Sequence, residues 1–226
     1  NIYDLSLPVK PGTDSCSKAL FRTEKVEDIL ISSVVGDSIC TLAYYIGPTE
    51  HNDNTRSDIV YYPKDNKKNL PFIIVEIQNK VIQEFITRLM RYSLNIFGNK
   101  KTLPLFVIVN INGFSSKRFR EEGFIKQENE PYYSLRSSLW AKKVYIYNAD
   151  SIAPRTEVPM PEMIALIHFS TQQQKHIVFL DEYMDPALQK IYNIASELFN
   201  EKFDNNVIQD TQIESFCNAI TSQVKK

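Results

Sequence analysis

Side chains able to do chemistry are concentrated in one short stretch of this chain. Leu70 to Gln78 (LPFIIVEIQ) is apolar almost throughout, yet it carries Glu76 and Gln78 near its end. A carboxylate among Ile73, Ile74, Val75 and Ile77 is expensive to bury unless something compensates it. Upstream, Asp58 opens a second apolar run, DIVYY. If both runs are strands, a period of two sets Glu76 and Gln78 on one face, and Asp58 approaches from the neighbouring strand. Two carboxylates and an amide then converge on one point. Hard oxygen ligands of this kind suit Mg²⁺ or Mn²⁺. A divalent metal held this way serves phosphodiester hydrolysis, which needs an activated water, a neutralised phosphate and a stabilised leaving oxygen.

The elements that must position these residues follow from hydrophobic periodicity. The first twenty residues hold Pro8, Pro11, Gly12 and several serines, which predicts an irregular lead-in. Between Phe21 and Val35, Val26, Ile29, Leu30 and Val34 recur at helical spacing, and Gly36 stops the helix. Ile39 to Ile46 reads as a strand, and Gly47 to Arg56 as a polar connection. Asp58 to Tyr62 and Leu70 to Gln78 are then two strands joined by the turn PKDNKKN, which predicts an antiparallel hairpin. Continuous hydrophobicity in the second implies a central strand covered on both faces.

Lys80 to Phe97 is the strongest helix, with Val81, Phe85, Leu89, Tyr92 and Ile96 in one stripe and Gly98 as its stop. Leu105 to Ile111 is another buried strand. A strand, a helix and a strand predict a parallel pair with a right-handed crossover. Lys143 to Tyr147 adds a strand. Pro161 to Phe169, Pro186 to Phe203 and Thr211 to Val224 read as helices, the second with Asp185 before Pro186 as a capping signal. The expected fold is a single α/β domain over residues 1–226. Its catalytic core spans 21–112, and 150–226 is a mostly helical extension.

Composition excludes several chemistries. The chain has 6 glycines and no phosphate-binding glycine loop of the GxGxxG or Walker kind. Cys16, Cys40 and Cys217 are too sparse for a disulfide framework or zinc site, which points to a reducing, intracellular setting in cytoplasm or nucleus. His51, His168 and His176 stand in no metal-binding spacing, and no Cys–His or Asp–His–Ser arrangement is visible. No signal-peptide pattern follows Asn1, and no apolar run has membrane-spanning length. Net charge is −1, so any nucleic-acid contact must come from local basic groups. The candidates are Lys64, Lys67 and Lys68 in the hairpin turn, Lys80 and Arg88 around the next helix, and Lys117 and Arg118 in SSKRFR.

At these positions the chain resembles the PD-(D/E)XK nuclease superfamily. SDIVYY matches the segment of the first acid, and IIVEIQ the second acid with its following residue. Gln78 stands where a lysine is usual, as in ExQ variants. The resemblance is closest to the branch of recombination-promoting nucleases and transposases, because FITRLMRY places Arg88 and Tyr92 four apart on the next helix. PLFVIVNI follows as a Pro-led apolar strand. The resemblance spans roughly residues 21–112. It implies a restriction-endonuclease-like mixed sheet flanked by helices, with Asp58, Glu76 and Gln78 catalytic and Mg²⁺ or Mn²⁺ on Asp58 and Glu76. It also implies a further acid from the first helix, for which Glu27 is the best match and Glu24 the next. The implied substrate is nucleic acid, DNA rather than RNA, with no membrane partner. The alternative is a catalytically inactive module of the same fold that binds nucleic acid or protein. In that case the C-terminal helices are a partner surface; separately, a buried Glu76 can be a structural charge paired with Arg88.

Overall fold

The computed structural model describes residues 7, 10–36, 43–50, 53, 55–65, 70–173 and 185–200. The chain is α/β, and its centre is a mixed seven-stranded sheet with helices on both faces. In chain order the strands are β1 (Tyr44–Ile46), β2 (Ile59–Pro63), β3 (Ile73–Gln78), β4 (Leu105–Asn110), β5 (Ile125–Lys126), β6 (Tyr133–Ser134) and β7 (Lys143–Tyr147). Their order across the sheet is β1-β2-β3-β4-β7-β6-β5. The helices are α1 (Asp14–Leu20), α2 (Glu24–Val35), α3 (Gln83–Lys100), α4 (Lys117–Gly123), α5 (Ala149–Ile152), α6 (Glu162–Gln172) and α7 (residues 186–200).

The hairpin and the crossover follow the sequence reading. β2 and β3 pair antiparallel, while β3 with β4 and β4 with β7 are parallel. β3 and β4 lie at the middle of the sheet and are covered on both sides, which is why their residues are apolar without alternation. Alternate side chains feed two separate cores. Ile73, Val75, Leu105, Val107 and Val109 pack with α1, α2, α6 and α7. Ile74, Phe106 and Ile108 pack with Phe85, Leu89, Tyr92 and Ile96 of α3.

The lead-in differs from its expectation. Asp14–Leu20 is helical, and Cys16, Ser17 and Leu20 are buried. Gly12 makes this possible. It has φ +70, and a Cβ there would collide with the Ser170 carbonyl, so only glycine lets the chain turn against α6 before α1 begins. The next helix therefore begins at Glu24, not Phe21, and ends at Gly36 as expected. Gly98 does not stop α3. The helix continues to Lys100 and closes on Lys101, which adopts the left-handed conformation with φ 56. The short elements α4, α5, β5 and β6 were not legible in the periodicity. The expected helix over 211–224 lies outside the described residues. Among the described residues no helix is long and apolar enough to cross a membrane.

Candidate functional site

The β2–β3 register decides where the two acids meet. Ile59 opposes Val75 and Val60 opposes Ile74, so one further step sets Asp58 directly opposite Glu76. Their interaction is reciprocal. The Asp58 amide donates to Glu76 Oε1 at 3.1 Å, and the Ile77 amide donates to Asp58 Oδ2 at 2.8 Å. The two carboxylates thus replace the last ladder bonds of the hairpin. Tyr92 of α3 steadies the same segment, donating its phenol to the Arg56 carbonyl at 2.7 Å.

Like charges opposed across a strand pair repel, and here each acid has its own cation. Arg88 Nη2 of α3 lies 3.3 Å from Glu76 Oε2 and 3.1 Å from Gln78 Oε1. Its guanidinium also stacks over the Phe85 ring, 5.1 Å from the centroid. Lys18 Nζ of α1 lies 2.9 Å from Asp58 Oδ1 and 2.8 Å from Asp14 Oδ1. Arg22 adds a hydrogen bond of 3.2 Å to the Asp58 carbonyl. Gln78 is fully engaged, because its Nε2 also donates to the Lys80 carbonyl at 2.8 Å.

Burial distinguishes the two acids. The Glu76 side chain is 2% exposed and the Asp58 side chain 16%. Desolvation, and after it the charge of Asp58, pushes the Glu76 carboxyl up to about 8, against the opposing pull of Arg88 and the Asp58 amide. At neutral pH Glu76 therefore holds its proton for much of the time. For Lys18, burial pulls the ammonium pKa down, but its bonds to Asp14 and Asp58 outweigh that and leave it above the ordinary value.

Several expected residues are elsewhere. Glu27 shares no hydrogen bond or ion pair with Asp58 or Glu76 among the described residues. Its carboxyl is raised by burial and by Asp28, with Lys64 opposing, and its charge acts on Tyr61. The acid that the first helix brings towards the site is instead Asp14, through Lys18. Nor is Lys64 beside the pair. It follows the far end of β2 from Asp58, and six residues at ~3.3 Å each separate the two by roughly 20 Å. The hairpin that brings the acids together carries its own turn away from them. Lys67 and Lys68 of that turn, and His51 and His176, lie outside the described residues. His168 is buried in α6.

Lys80, Lys117 and Arg118 are at the correct end of the sheet. The turn after β3 is joined to the turn after β4 by a Val81–Phe114 bridge, by Ser115 N to Val81 O at 2.9 Å and by Asn112 to Asn79. This places the start of α4 beside Lys80, on the edge that the acids end on. Lys117 and Arg118 there are 78% and 84% exposed and pair with Glu121 and Glu122 one turn on. Asn110 closes β4 opposite Gln78 in register and is fully buried, yet neither of its amide atoms is hydrogen-bonded within the described residues. A polar strand-end residue among apolar neighbours was the only sequence signal for it.

The metal expectation is tested by this donor set. Among the described residues no group of three or more His, Cys, Asp or Glu side chains could hold a metal ion. Mg²⁺ rarely needs such a cage, since it keeps several waters and takes one or two carboxylates with substrate phosphates. Asp58 and Glu76 supply two carboxylates on opposed positions of one strand pair. No protein-family model, curated protein or solved structure matches the chain.

Proposed function

We propose that this chain is a divalent-metal-dependent nuclease of the PD-(D/E)XK type that hydrolyses phosphodiester bonds, in DNA before RNA. The observation that carries the reading is the direct cross-strand opposition of Asp58 and Glu76 at the end of a central hairpin. Asp58 and Glu76 would hold Mg²⁺ or Mn²⁺. When bound, such an ion lowers the pKa of a water and neutralises phosphate charge. Glu76 would hold the ion as the carboxylate, Arg88 keeps its side chain in place, and Gln78 fixes Arg88 and the turn at Lys80. The edge bearing Lys80, Lys117 and Arg118 is positioned to follow a phosphate backbone. The sparse, odd set of three cysteines supports an intracellular, reducing setting.

Plasmid cleavage in Mg²⁺ or Mn²⁺ tests this. Asp58→Ala and Glu76→Ala each reduce cleavage to background, and cleavage that survives both substitutions sinks the assignment.

One observation favours a second reading, a non-catalytic binding module. Both acids already carry internal cations, and Glu76 is 2% exposed. Calorimetric titration with Mn²⁺ separates the two, because a folded chain that takes up no metal is the binding module.

A further inference from the structure

The site as described has a neutral Gln78 where phosphodiester chemistry calls for a cation close to the phosphate. Among the described residues three cationic side chains reach the acid pair, and they are not equivalent. Arg88 is committed to Glu76, Gln78 and the Phe85 ring. Arg22 gives one hydrogen bond of 3.2 Å, to the Asp58 backbone carbonyl and not to its carboxylate. Lys18 remains. Its ammonium carries three N–H donors, of which Asp14 and Asp58 take two, at 2.8 and 2.9 Å. Its side chain is 36% exposed, so solvent and ligand reach it. Asp14 is 69% exposed and holds the ammonium from the outer side.

We infer that Lys18, from the first helix, is the catalytic cation of this site, with its third N–H donating to a non-bridging oxygen of the scissile phosphate. The inference rests on the nuclease reading above. Asp58 is the shared partner, since it contacts Lys18 and is one of the two proposed metal ligands. Asp58 and Glu76 would hold that metal, and the Lys18 ammonium, 2.9 Å from Asp58 Oδ1, would supply positive charge beside it. In the reaction, the water oxygen forms a bond to phosphorus while the bond from phosphorus to the leaving sugar oxygen breaks with its electron pair. The water loses one proton to solvent, and the leaving oxygen takes one up. Lys18 keeps its own proton throughout and offsets charge on the phosphoryl oxygens. A flexible lysine stem suits this role, and the second carboxylate, Asp14, limits its wandering.

The test uses the full chain and its Lys18→Met and Lys18→Arg variants. Plasmid cleavage in Mg²⁺ is resolved into kcat and KM, and binding of Mn²⁺, then of inorganic phosphate to the Mn²⁺-loaded protein, is followed by calorimetry. Lys18→Met is expected to lower kcat by about 10²–10³-fold with KM little changed. It should weaken phosphate binding while Mn²⁺ binding persists, and Lys18→Arg should restore most of both losses. A Lys18→Met protein that cleaves as the parent does overturns the role of Lys18 and leaves the nuclease reading standing. A parent chain that never cleaves overturns both. Loss of Mn²⁺ binding in Lys18→Met with no recovery in Lys18→Arg marks a structural clamp and also overturns the inference. Should Lys18→Met not fold, Lys18→Gln is read in the same way.

Discussion

Arg88 and Lys18 neutralise the two acids from helices on opposite faces of the sheet, and the two pairs differ in depth. Glu76 is enclosed and can discard its charge by holding a proton, so Arg88 guards a group that alternates between neutral and ionised. Asp58 is closer to solvent, and its lysine is shared with an exposed second carboxylate. The Glu76 carboxylate is part of the core, while Asp58 and both cations are partly open to solvent. The two acids of one site thus differ in their access to solvent.

The largest effect should come from breaking the deep pair. Arg88→Met leaves an enclosed carboxylate with the Asp58 amide but without its counter-ion, and is expected to cost about 3 kcal/mol of folding stability at pH 9. The loss should be clearly smaller at pH 6, where Glu76 takes up a proton. Denaturant unfolding at the two pH values measures this, and equal losses would show that Glu76 does not protonate in the fold.

Next is the pH profile itself. The Glu76 carboxyl is raised on folding, so its proton favours the folded state. That contribution is fully present below about pH 4.5, the ordinary glutamate value, and is lost as pH rises through about 8. Glu76→Gln, which keeps the acceptor for Arg88, should flatten the difference between acid and alkaline unfolding midpoints. A smaller change is expected at Asn110. Replacing it with Leu removes a buried amide without partners and should stabilise the chain by about 1 kcal/mol, read from the thermal midpoint. A destabilised Asn110→Leu would mean that the amide is satisfied in the native chain. The shallow pair comes last. Lys18→Met should change stability by less than about 1 kcal/mol, as expected for a partly exposed ion pair. A cost matching that of Arg88→Met would erase the difference in depth.

The hairpin, the central position of β3 and the meeting of Asp58 with Glu76 were legible because strand periodicity is local and an acid in an apolar strand stands out. The α3 stripe was legible for the same reason. Lys18 was not. A seven-residue helix offers too few turns to display a period, and prolines and a glycine before it read as irregular chain. Glu27 was favoured as the acid of the first long helix, but the helix that reaches the site is the short one before it. Lys64 was judged by its closeness along the chain, which in an antiparallel hairpin puts a turn at the opposite end from the strand's first residue. Tertiary placement, not residue type, separates these misses from the successes.

Because each carboxylate accepts from a backbone amide across the hairpin, the Asp58 and Ile77 amide protons are built-in reporters of the site. Anything that draws an oxygen away from its amide should alter the resonance and solvent exchange of that N–H. Two backbone signals would then register occupancy, with no label and no turnover required.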